Sequence, residues 1–182
     1  EKIGINVTMP ENPFTKTGYI SNGWKNSNGT IYNIGSSYEF TETQTLLANW
    51  ISNEYKINLN GNGASSQGTT AIYERYNEGI YLDSGTNNNL MTTTTNPIPN
   101  KPTKNPYTIS FSDNNLGISL PEDTTFTPSF NGYYDESELM INENGYITNN
   151  LTNTKYTSDT TLFAKWNYDY VLPEINQEGY TC

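Results

Sequence analysis

The chain has 182 residues with no histidine, one cysteine, and 19 acidic against 9 basic side chains, for a net charge of -10. A Ser-His-Asp or Cys-His nucleophile and the usual imidazole ligation of zinc are thereby excluded. A nucleic-acid surface is excluded as well, because it needs clustered Lys and Arg to displace counterions.

Taken in chain order, the predicted elements are short strands. Ile3, Ile5, Val7 and Met9 alternate, Pro10 and Pro13 break the strand, and residues 19–24 restore it. In Thr45-Leu46-Leu47-Ala48-Asn49-Trp50 the residues Leu46, Ala48 and Trp50 share one strand face. Tyr55-Lys56-Ile57-Asn58-Leu59 is a period-two strand that runs into the turn Asn60-Gly61-Asn62-Gly63. Residues 71–76 and 79–82 read as a hairpin with Ile72 and Tyr81 inward, preferred over a single helical turn because β-branched and aromatic residues dominate.

Between residues 87 and 106 a Thr tract with Pro97, Pro99, Pro102 and Pro106 predicts an extended connection with little structure of its own. Tyr107-Thr108-Ile109-Ser110-Phe111 repeats the strand-then-turn pattern, running into Asp113-Asn114-Asn115 and Gly117. Near the end, Thr161-Leu162-Phe163-Ala164-Lys165-Trp166 puts Leu162, Ala164 and Trp166 on one face. Asn-Gly pairs at 22–23, 28–29, 60–61, 131–132 and 144–145 tolerate positive φ and predict tight hairpins. The expected class is mainly β, or α+β with one short helix if residues 71–76 coil.

Composition agrees with that class. Charged residues make up only 15%, and the polar character comes mainly from Asn, Thr, Ser and 15 Tyr, a mixture that favours strands and turns. A hydrophobic content of 33% is low for one core and points to small units steadied by their neighbours. No apolar run approaches a membrane span, and the first residues lack signal-peptide character, so the chain reads as a mature fragment of an exported protein. The lone Cys182 is terminal and is expected to be a free thiol.

The segments 45–50 and 161–166 are one segment written twice. Gly18-Tyr19-Ile20-Ser21-Asn22-Gly23-Trp24 is matched by Phe130-Asn131-Gly132-Tyr133-Tyr134, and Gly179-Tyr180-Thr181-Cys182 looks like the same motif cut short. Met9-Pro10-Glu11-Asn12 is echoed by Leu172-Pro173-Glu174. Such self-similarity predicts tandem repeats in series. Residues 1–50 form the latter part of one repeat, 51–166 a longer second repeat, and 167–182 the start of a third.

The order strand, Gly-rich turn, Gly-Tyr-x-x-x-Gly-Trp, then Thr-Leu-x-Ala-x-Trp resembles the internalin-type B repeat, or Listeria–Bacteroides repeat, of bacterial surface proteins. Gly18, Tyr19, Gly23, Trp24 and Trp50 carry it in the first copy, and Gly132, Tyr133 and Trp166 in the second. Two departures stand out: Tyr133 replaces the Trp of the Gly-Trp pair, and residues 64–106 are absent from the short form of the repeat. The resemblance implies a β-grasp-like fold and a secreted or wall-attached location, and it does not imply catalysis; none is expected.

Trp24, Trp50 and Trp166, with Gly23 and Gly132, are expected to be structural anchors. Of Tyr133 and Tyr134 only one can point inward, so the other is a candidate contact for glycan or protein. Two of the three clustered carboxylates Asp135, Glu136 and Glu138 could serve as a glycosidase pair, and the same residues also describe a solvated hairpin tip. Asp113, Glu122, Asp123 and Asp135 are candidate calcium ligands without the regular loop. Lys56 and Lys165, considered for a Lys–Asn isopeptide crosslink, alternate with apolar neighbours and should face solvent. No cofactor, nucleic-acid partner or membrane insertion is expected; the expected partners are neighbouring repeats and a host glycan or protein. A spacer or adhesion role on the bacterial surface follows, with a specific binding module and a carbohydrate-active enzyme as the alternatives.

Overall fold

The computed structural model describes residues 4–112 and 122–169. Among them there is no helix, so the α+β alternative falls and the chain is mainly β. It divides into two compact units. The first comprises Glu1–Lys56, Tyr73–Leu90 and Thr152–Thr160; the second comprises Ile57–Ile72, Met91–Leu151 and Thr161–Cys182. Residues 51–166 are therefore shared between both units, while residues 170–182, with the truncated third motif and Cys182, lie outside the described residues.

In the first unit, β1 (Ile5–Thr8), β2 (Tyr19–Lys25), β3 (Ile31–Tyr32), β4 (Ser37–Phe40) and β5 (Leu47–Ser52) follow one another. β1 pairs antiparallel with β4, and β3-β2-β5 make a three-stranded antiparallel sheet. The β2–β3 connection is closed locally. The Asn26 side-chain oxygen accepts the Asn28 and Thr30 amides at 3.0 and 2.9 Å, and Gly29 takes the left-handed φ of +86°. Tyr32 packs edge-on against Tyr38 at 5.0 Å and tilted against Phe40 at 5.4 Å, and with the buried Met9 it forms this module's small core.

β6 (Glu54–Asn60) buries Ile57 and Leu59 while Lys56 faces solvent, the alternation that its sequence predicts. β7 (Ala71–Arg75) and β8 (Gly79–Tyr81) form the expected hairpin, and Ile72 and Tyr81 are both buried, but Tyr81 lies opposite Tyr73 and therefore on the other face of the sheet from Ile72. After β9 (Leu90–Met91) come β10 (Tyr107–Ile109) and β11 (Thr124–Phe126), a two-stranded pair in which the Tyr107 and Phe126 rings stack at 5.6 Å. β12 (Ser129–Asp135), β13 (Glu138–Ile141) and β14 (Thr160–Asn167) are the last strands among the described residues, and a seven-stranded sheet runs β13-β12-β14-β6-β7-β8-β9. The second unit's core gathers Ile57, Ile72, Met91, Tyr133, Met140, Ile141, Leu162 and Ala164.

Two expectations are corrected. The Thr- and Pro-rich stretch 87–106 is not an unstructured connection: Met91, Ile98 and Pro102 are buried, and its backbone is bonded to residues 65–69. Ser65 N donates to Thr103 O at 2.7 Å, Thr103 N to Ser66 O at 2.9 Å, and Thr69 N to Asn100 O at 2.7 Å. Proline removes donors only at its own positions, and the residues between the prolines carry the ladder. The second correction concerns Asn22-Gly23 and Asn131-Gly132, which do not make hairpin turns. They lie inside β2 and β12, where positive φ serves a bulge.

Candidate functional site

Both copies of the repeated motif build the same local geometry. Between β2 and β5, Ser21 faces Trp50 and Trp24 faces Ala48, so three steps along one strand match two along the other. Between β12 and β14, Phe130 faces Trp166 and Tyr133 faces Ala164, with the same single-residue excess. That is a β-bulge, and the glycine sits inside it each time: Gly23 at φ +81° and Gly132 at φ +106°. A Cβ on Gly23 would lie 2.4 Å from the Tyr32 carbonyl oxygen, and one on Gly132 would lie 2.5 Å from that of Ile141. Left-handed backbone and close approach of the neighbouring strand together require glycine. In the first copy the bulge's Asn22 carbonyl accepts from the Asn49 side-chain amide at 3.1 Å.

The tryptophans pin these strands at half-burial. Trp24 Nε1 donates to Pro10 O at 2.9 Å, and Trp166 Nε1 donates to Gly61 O at 3.0 Å. Trp166 also meets the Phe130 ring edge-on at 6.1 Å. Leu162 and Ala164 are fully buried as expected, whereas Leu46, Ala48 and Trp50 in the first copy are half-buried. Half-burial moderates the expected penalty. Trp166→Ala should cost about 2 kcal/mol in urea denaturation, below the roughly 3–5 kcal/mol of a fully buried tryptophan. A loss under about 0.5 kcal/mol would remove Trp166 from the anchor set.

Tyr133 is the inward member of its pair. Its side chain is fully buried, its hydroxyl has no partner among the described residues, and burial pushes its pKa up to about 12. It is therefore not a ligand contact. Tyr134 is the outward ring, and the solvent-facing Lys165 ammonium lies over it, 4.0 Å from the centroid.

The carboxylate candidates do not converge. Asp135 ends β12, Glu138 begins β13 opposite it, and Glu136 occupies the turn between them at φ +51°. This is a hairpin tip. Asp123 accepts from Ser110 Oγ at 2.7 Å, and Asp113 lies outside the described residues. Among the described residues, no three His, Cys, Asp or Glu gather to hold a metal ion. Excess EDTA should accordingly leave the melting temperature unchanged; a rise with added calcium following mass action would show a bound ion.

Two features escaped the sequence reading, although strand alternation could have found the first. Glu74 lies two residues beyond Ile72 on β7 and so takes the same apolar face, where it is fully buried. Both carboxyl oxygens lie 3.2 Å from the donating Tyr156 amide. Burial raises its pKa from 4.5 to about 7, against the lowering effect of the Tyr156 and Lys155 backbone bonds.

The second feature is a network around Arg75, also in the first unit. Arg75 Nε donates to Glu54 Oε2 at 3.0 Å, and its Nη2 donates to the carbonyls of Asp83 at 3.1 Å and Asn87 at 3.0 Å. The guanidinium lies 3.8 Å from the centroid of the Tyr81 ring, and the Gly85 amide donates to the same Glu54 oxygen at 2.8 Å. One mostly buried cation therefore holds the loop after β8 in place. That loop and the neighbouring strands enclose a cleft of about 690 Å³, lined among others by Ile20, Ile51, Ser52, Tyr55, Glu78 and Thr86.

No protein-family model, curated protein or solved structure matches this chain.

Proposed function

We propose that the chain is a non-catalytic tandem-repeat segment of a bacterial cell-surface or secreted protein, built of small β-grasp-like units in series and acting as a spacer or adhesion module. The observation that carries this reading is the paired bulge: Gly23 and Gly132 serve the same close strand approach, and Trp50 and Trp166 oppose equivalent residues. A geometry encoded twice in one chain supports a building element, because a catalytic centre has no need of duplication. The absence of histidine from the sequence and the hairpin-tip position of Asp135 and Glu138 support a role without turnover.

The test is location combined with activity. Antibody raised against the chain should label intact cells of the source bacterium, or the protein should be recovered from the medium. The purified chain should leave glycoside and peptide substrates unchanged. Recovery solely from the cytosol would sink the surface reading, and hydrolysis abolished by Glu138→Gln would sink the non-catalytic one.

A further inference from the structure

We infer that the cleft beside Arg75 in the first unit is a binding site for a neutral saccharide. The inference stands apart from the surface-location reading, because saccharide binding is measured on the purified chain.

The cleft is assembled within the first unit from two parts of the chain. Ile20, Ile51 and Ser52 come from β2 and β5, and Arg75, Glu78, Gly85 and Thr86 from the β7–β8 hairpin and the loop after it. The hairpin's attachment is rigid: Tyr76 N donates to Asn53 O at 3.0 Å, Asn53 N to Gly18 O at 2.9 Å, and the Tyr19 and Tyr76 rings meet edge-on at 5.7 Å. With the loop held by Arg75, the cleft is formed before any ligand arrives, which lowers the ordering cost of binding. Its volume of about 690 Å³ falls within the usual range for small-molecule sites.

The lining selects the ligand. Ile20 and Ile51 face each other across β2 and β5 and are 53% and 44% exposed, an apolar floor open to solvent. Around it stand acceptors and mixed groups. Glu78 takes the Ser52 hydroxyl on Oε1 at 2.6 Å, and Glu54 spends Oε2 on Arg75 and Gly85, leaving each carboxylate a second oxygen. Asn53, Ser52 and Thr86 add amide and hydroxyl groups.

An anion would meet Glu78 while the Arg75 charge is already neutralised by Glu54, so anionic ligands are disfavoured. A purely apolar ligand would strand the polar rim without partners. An uncharged molecule rich in hydroxyl donors with one apolar face matches this lining, a description that fits a pyranose ring lying on the isoleucines with its hydroxyls on the carboxylates.

The test is titration of the full chain with cellohexaose, chitohexaose and maltohexaose, followed by amide chemical shifts. At least one should perturb Ile20, Ile51, Glu78 and Thr86 at concentrations up to about 10 mM, and Glu78→Ala should weaken that binding about tenfold or more with the melting temperature retained. Ile51→Ser, at an exposed position, is the second variant and should weaken binding by removing the floor. The inference is overturned if none of the three sugars perturbs the cleft, or if both variants bind like the parent chain. It is equally overturned if hexagalacturonate or spermidine binds more tightly than every neutral sugar.

Discussion

Gly132→Ala is expected to destabilise the chain by about 3–5 kcal/mol, a large share of the roughly 5–15 kcal/mol that holds a domain of this size together. Two costs add. At φ +106° an L-residue is strained by roughly 1–3 kcal/mol. The new methyl would also lie 2.5 Å from the Ile141 carbonyl oxygen and 2.6 Å from Leu139 Cδ1. The leucine can swing aside. The carbonyl cannot, because Ile141 is fully buried and paired with Tyr133 in the β12–β13 ladder. Gly29→Ala separates the two costs: Gly29 has φ +86° but nothing within 4 Å of a Cβ, so it should lose only about 1 kcal/mol. Gly23→Ala, with the Tyr32 oxygen at 2.4 Å, should behave like Gly132→Ala in the first unit. Urea denaturation of the three variants decides the matter, and equal losses at Gly29 and Gly132 would mean that the bulge tolerates a side chain.

The same glycines show how far the sequence could be read. Alternation located β6, β7 and β14 and put Ile57, Ile72, Leu162 and Ala164 inside, because a strand with one buried face must repeat every two residues, whereas β8 is buried on both faces and alternation could not assign Tyr81. The Asn-Gly pairs were ambiguous for a physical reason. Positive φ is needed in hairpin turns and in bulges alike, and only the partner strand's register tells them apart. Asn28-Gly29 proved to be a turn, Asn22-Gly23 a bulge.

The stretch 87–106 was misread because composition reports local preference. Whether residues 65–69 return alongside it is a long-range fact that no local window contains. The cleft was illegible for a related reason. Arg75 and Glu54 are 21 residues apart in sequence, and nothing in either neighbourhood marks them as partners. Glu74, by contrast, was legible: a carboxylate in step with the inward Ile72 shares its buried face, although Tyr81, expected on that face, lies on the other.

That burial gives the final prediction, in which pH is the variable. The Glu74 carboxyl titrates near 4.5 in the unfolded chain and is pushed up to about 7 in the folded one by desolvation. Between these values the folded state binds more protons than the unfolded state, so this group's contribution to stability falls as pH rises through that window. Below about 4.5 both states are protonated and the penalty is absent; above about 7 both are ionised and the penalty is complete, on the order of 3 kcal/mol. Glu74→Gln keeps the shape and one acceptor for the Tyr156 amide while removing the ionisation.

The difference in stability between variant and parent should therefore be near zero at pH 4, grow in the variant's favour from pH 5 to 7, and level off by pH 8. Reading the difference cancels the background of the other acidic side chains, whose self-repulsion also changes with pH. A difference that stays flat from pH 4 to 8 would show that Glu74 is ionised at its ordinary pKa despite its burial. A variant less stable than the parent at pH 8 would show that the carboxylate's bonds to the Tyr156 and Lys155 amides outweigh its desolvation.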